Sequence, residues 1–171
     1  MTRYAAFLRG VNVGGINLKM AEVAKALERA GFSQVRTILA SGNVLLDSNS
    51  QEAKVRTTAE RALRDAFGYE AWVLVYDLAT LRQISAAYPF EREVDGHHSY
   101  VTFVSDTDLL DELAALPPGA GEKIRRGDGV LYWQVPRGAT LDSALSKTMG
   151  KKRYKSSTTT RNLRTLEKVL R

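Results

Sequence analysis

The chain has 171 residues, 44% apolar and 26% charged, a balance that suits one globular domain with a buried core and gives no sign of disorder. It has no cysteine, which rules out disulfides, thiolate metal sites and cysteine nucleophiles, and no apolar run near the ~18 residues of a membrane helix. The net charge of +6 is uneven: nine basic residues and one acid between Lys147 and Arg171 give that segment +8 and leave −2 for the rest.

Arg3 to Arg9 is an apolar and aromatic run with strand character, ending at Gly10 in a glycine-rich loop. Met20, Val23, Ala24 and Leu27 then fall on one helical stripe that Gly31 can terminate. Val35 to Ala40 and Val44 to Asp47 read as a hairpin around Ser41, Gly42 and Asn43. Ser48 and Gln51 have capping-box spacing, and a second helix stripe from Val55 to Phe67 ends at Gly68 before a strand, Ala71 to Tyr76. The order βαββαβ is that of a ferredoxin-like domain.

The second half predicts a helix over Leu78 to Ala87, a strand over Tyr100 to Val104 and a helix over Leu109 to Leu116. A hairpin follows, with arms Glu122 to Arg125 and Val130 to Val135. Tyr132 and Trp133 alternate in that second arm, so one is expected in the core and the other exposed. Two helices close the chain, Leu141 to Met149 and Arg161 to Leu170, the latter after a polar stretch from Ser156 to Thr160. The fold class is therefore α+β: a ferredoxin-like unit over residues 1–76, a partial second α+β unit over 77–150 and a helical segment over 151–171, in a single domain.

Gly10, Gly14 and Gly15 lie between a strand and a helix, where backbone N–H groups and a helix N-terminus can approach an anion, although the loop has neither the Rossmann nor the P-loop spacing. In a ferredoxin-like sheet the first and third strands are antiparallel neighbours, so Arg9 and Gly10 should meet Ser41, Gly42 and Asn43. Asn12 and Asn17 either join that rim or cap the helix, and Asn43 either binds or stabilises its turn. Thr158, Thr159, Thr160, Arg161 and Asn162 are expected to open the last helix, with Thr160, Arg161 or Asn162 in reach of the rim to make one composite polar site. The candidate ligand-binding set is Arg9, Gly10, Asn12, Gly14, Gly15, Asn17, Ser41, Gly42, Asn43, Thr160, Arg161 and Asn162.

Other chemistries have less support. His97 and His98 are adjacent, lack spaced partner ligands and read as loop residues, so no metal site is expected. Ser41 lies outside a nucleophile elbow. The strand GNVLLDS lacks the aromatics of an RNA-recognition motif.

Three segments in this order, LRGVNVGG from Leu8, LASGNVLLDS from Leu39 and TTRNLRTLEKVL from Thr159, resemble the bacterial domain-of-unknown-function family 1697. The resemblance implies an α+β fold of ferredoxin-like halves, with motif positions on Arg9, Gly10, Asn12, Gly14, Gly15, Ser41, Gly42, Asn43, Thr160, Arg161 and Asn162. Leu163 and Arg164 depart from the Trp and Asn usual in the family. It implies no activity and leaves any cofactor unassigned. The leading expectation is a cytoplasmic protein, not bound to a membrane, with a site for a phosphorylated or nucleotide-like small molecule at the Arg9 and Ser41 rim. The alternatives are a nucleic-acid-binding module using the basic C-terminal segment and an interaction domain without chemistry.

Overall fold

Tyr4 to Leu8 are all buried, so the first strand has both faces covered and sits inside its sheet rather than at an edge. The structure is a computed structural model in which residues 1–11 and 17–171 are described. The chain divides into two compact units, Met1–Arg82 with Lys168–Arg171, and Gln83–Glu167.

The first unit runs β1 (Thr2–Leu8), α1 (Met20–Arg29), β2 (Ser33–Ile38), β3 (Asn43–Ser48), α2 (Glu52–Phe67), β4 (Val73–Asp77) and the start of α3 (Leu78–Ala86). Its sheet has the order β2-β3-β1-β4 with every pair antiparallel, the ferredoxin-like arrangement read from the sequence. The i, i+4, i+8 series Val55, Ala59 and Leu63 on α2, with Val23 and Leu27 on α1, packs onto Ala6, Leu46 and Val73 of the sheet. Truncating Leu63, which has no exposure, is worth about 2–5 kcal/mol in such a core. The α2 helix stops at Gly68, whose φ of +64° needs a glycine and whose amide bonds Arg64 O. The capping box expected at Ser48 does not form. Ser48 still belongs to β3, its hydroxyl accepts from Ser50 N at 3.1 Å, and Gln51 takes the N-cap position without a side-chain bond.

In the second unit the order is β5 (His97–Val104), α4 (Thr107–Ala114), β6 (Lys123–Arg126), β7 (Val130–Pro136), α5 (Ala144–Met149), β8 (Thr158–Asn162) and α6 (Leu163–Val169). The sheet order β6-β7-β5-β8 repeats that of the first unit, so the copy expected as partial is complete in its elements. Its missing member was β8, expected as a polar stretch and the start of a helix. Threonine caps helices, but its β-branched side chain suits a strand equally, and five-residue pairing with β5 decides for the strand. His97 and His98, expected in a loop, open β5. Tyr132 and Trp133 are both buried, because both faces of β7 are covered. Trp133 packs among Leu109, Leu113 and Leu145, while Tyr132 donates to Ile84 O at 2.6 Å and meets Tyr88 edge-on at 5.6 Å. Among the described residues, no helix is long and apolar enough to cross a membrane.

Candidate functional site

The sheet of the first unit closes at one end through two backbone bonds: Leu8 N donates to Gly42 O at 2.9 Å, and Arg9 N donates to Trp72 O at 3.0 Å. This brings the end of β1 against the start of β3, as antiparallel pairing requires. Arg9 and Gly10 therefore share one rim with Ser41, Gly42 and Asn43.

Each rim residue has a local reason for its position. Gly42 has φ +86°, and a Cβ there would lie 2.9 Å from Leu8 Cβ, so only glycine permits the close approach. Asn43 is fully buried and donates from its Nδ2 to Ile38 O and to Ser41 Oγ, both at 2.8 Å. The reading of Asn43 as a turn stabiliser thus describes its amide. Its second bond uses one lone pair of Ser41 Oγ, so the exposed hydroxyl keeps its O–H and its other lone pair. Leu39, beside it, is held at φ +62° and is 46% exposed, an unfavourable conformation for a leucine and an exposed place for an apolar side chain. Arg9 is half-buried, and that burial lowers its guanidinium below the usual arginine value.

Asn17 is exposed ahead of α1 and does not cap it. Lys19 holds the N-cap position and its side chain makes no capping bond. Asn12, Gly14 and Gly15 lie outside the described residues.

Thr160, Arg161 and Asn162 belong to the second unit, and as strand residues they cannot act together as the opening of a helix. Strand alternation separates them. Thr160 Oγ1 shares a 2.8 Å bond with Thr102 Oγ1, which accepts from Trp133 Nε1 at 2.9 Å beneath the unit's helices. Arg161 points to the other face, only 6% exposed, with Nη1 donating to Thr159 Oγ1 at 2.8 Å and Thr160 O at 2.7 Å. Burial lowers its guanidinium to about 9. Asn162 Oδ1 accepts from Arg164 N at 2.8 Å, closing the turn into α6.

The basic C-terminal charge is likewise distributed by the fold. Lys147, Lys151, Lys152 and Lys155 are exposed around α5 and the 3₁₀ turn Lys152–Tyr154, whereas Arg153 is paired with Glu112 at 2.8 Å and Arg164 with Glu93 at 3.0 Å. Glu112 also accepts from Tyr154 Oη at 2.7 Å, and these two bonds lower its carboxyl below the ordinary glutamate value. A polar cleft in the second unit, lined by residues from Arg92 to His98 together with Arg137 and Arg164, was missed by sequence reasoning. Its members are far apart in sequence. The one local signal was the His97–His98 pair, read as loop.

Residues 1–132 match the family model described as a protein of unknown function (DUF1697). Among solved structures, the chain is similar to the conserved bacterial protein SP0830 from Streptococcus pneumoniae, at 22% identity and a TM-score of 0.82 over 99% of this chain and 96% of that one. That likeness shows a shared fold. A protein from Galdieria sulphuraria, itself described as unknown, aligns at 12% identity with a TM-score of 0.29 over 94% of this chain and 96% of that one. No curated protein matches the chain.

Proposed function

Because the chain belongs to the DUF1697 family of proteins of unknown function, its function has to be read from its own residues, and we propose that the Arg9 and Ser41 rim binds the phosphate end of a phosphorylated or nucleotide-like small molecule. The observation that carries this reading is the 2.9 Å backbone bond from Leu8 N to Gly42 O, which sets Arg9 at the same strand-end rim as the exposed Ser41 hydroxyl. A hydroxyl and a cationic side chain on one rim favour an oxyanion over a neutral or cationic group. The amides of Gly10, Asn12, Gly14 and Gly15 and the side chain of Asn17 join the proposal on sequence grounds. No reaction is assigned.

Thermal-shift titration of the full chain with nucleoside mono- and triphosphates and with sugar phosphates tests this. At a concentration 100 times Kd, a true ligand stabilises by about 2.7 kcal/mol, and Arg9→Met should abolish the shift while Ser41→Ala reduces it. No stabilisation by any of these compounds, or an equal shift in Arg9→Met, would sink the proposal. A second reading is favoured by the four exposed lysines at 147, 151, 152 and 155, which suit a nucleic-acid backbone. Binding of DNA or RNA that weakens with salt, survives Arg9→Met and is lost when those lysines become glutamine would transfer the function there.

A further inference from the structure

The second unit contains a cleft of about 140 Å³, well above the ~10–15 Å³ that a single water occupies, so it has room for a molecule of several non-hydrogen atoms. It forms where the segment before β5, the end of β7 and the start of α6 converge. Much of its charge is already satisfied. Arg92 pairs with Glu167 at 3.1 Å and also donates to Ser85 O at 2.8 Å, and Arg164 pairs with Glu93 at 3.0 Å. These four ions cancel.

Arg137, Asp95 and His97 remain. Arg137 is exposed, and its backbone N donates to Gly96 O at 2.8 Å, which holds it opposite the first residues of β5. Among the described residues, no hydrogen bond or ion pair engages the guanidinium of Arg137 or the carboxylate of Asp95. His97 Nδ1 lies 3.1 Å from Asp95 O. A carbonyl oxygen only accepts, so Nδ1 carries the hydrogen of that bond and Nε2 is the ring nitrogen it leaves over. The cleft is therefore lined by one uncommitted guanidinium fork, one uncommitted carboxylate and the Nε2 of an imidazole.

We infer that this cleft binds a small zwitterion, a free α-amino acid or a molecule with the same two charged ends, its carboxylate on Arg137 and its ammonium on Asp95 and His97 Nε2. A guanidinium fork matches a carboxylate in plane, and an ammonium brings three donors to acceptors that otherwise face water. A simple anion satisfies Arg137 but meets Asp95, and a simple cation has the reverse conflict. A zwitterion meets neither. The inference is independent of the Arg9 and Ser41 rim, which lies in the first unit.

Isothermal titration of the full chain with each of the twenty protein amino acids, and separately with acetate, methylammonium and inorganic phosphate, tests it. The expected result is saturable binding of at least one amino acid, weakened ~10-fold or more by Arg137→Met and by Asp95→Asn, with acetate and methylammonium each binding far more weakly. Arg137 and Asp95 are both exposed, so these variants keep the fold, and Arg9→Met should leave the affinity unchanged. Saturable binding of none of the amino acids, displacement by phosphate at equal concentration, or unchanged affinity in both Arg137→Met and Asp95→Asn would overturn the inference.

Discussion

The two units share their register as well as their topology. Leu8 N bonds Gly42 O in the first unit and Val104 N bonds Gly129 O in the second, at 2.9 and 3.0 Å. Counting back from these bonds sets Tyr4 against Tyr100 and Phe7 against Phe103, a Y-x-x-F repeat across the two central strands. The last strands correspond too: Asp77 ends β4 and accepts from Thr80 N, while Asn162 ends β8 and accepts from Arg164 N, each turning its strand into a helix. Agreement falls where the fold needs it, in strand aromatics, turn glycines and caps. The departures are chemical. Asn43 stands where the second unit has Val130, Arg9 where it has Ser105, and the second unit places Thr102 and Arg161 where the first has Ala6 and Tyr76. Unit 1 has therefore made its strand-end turn polar, and unit 2 has made its core and last strand polar.

The largest effect should come from breaking the equivalence of the two turn glycines. Gly42 and Gly129 both have positive φ, +86° and +70°, but a Cβ at Gly42 meets Leu8 Cβ at 2.9 Å whereas at Gly129 nothing lies within 4 Å. Gly129→Ala should cost only the left-handed strain, about 1–2 kcal/mol. Gly42→Ala adds overpacking of about 1–3 kcal/mol to the same strain. Denaturant midpoints measure both, and equal losses would show that the crowding at Gly42 relaxes freely.

Next in size is the polar core of the second unit. Thr102→Val keeps the shape but removes the acceptor of Trp133 Nε1 and the partner of Thr160, leaving a buried N–H that costs about 1–3 kcal/mol. Loss of stability with an unchanged m-value, and a shifted Trp133 indole N–H resonance, are expected. A neutral result would mean that the indole finds another acceptor.

The smallest contrast concerns the two strand-end caps. Asp77 bonds both Thr80 N at 2.8 Å and Thr80 Oγ1 at 3.0 Å, while Asn162 caps with a bond to Arg164 N at 2.8 Å. Asp77→Ala and Asn162→Ala should each cost about 1 kcal/mol, with Asp77 the larger, and thermal unfolding of the two variants side by side reads the order. The reverse order would show that the extra threonine bond contributes nothing.

Length, period and turn residues in the sequence were enough for the first unit, because its helices carry single apolar stripes, Val23 to Leu27 and Val55 to Leu63, and its hairpin is marked by Ser41, Gly42 and Asn43. The meeting of Arg9 with Ser41 was legible for the same reason: antiparallel neighbours in a known order fix which ends touch. The rest depended on contacts between distant residues. Thr158 to Asn162 has no local pattern that separates a cap from a strand, and only the partner β5 makes it a strand and sends Arg161 and Asn162 to opposite faces. The buried Asn43 amide takes up one acceptor site of Ser41 Oγ, a bond no local pattern announces, and the cleft of Arg137, Asp95 and His97 exists only because β5 and β7 pair. Local sequence sets the periodicity of an element, but which polar groups are left over after pairing is a property of the assembled sheet, since each bond made removes a donor or acceptor that the sequence alone leaves unassigned.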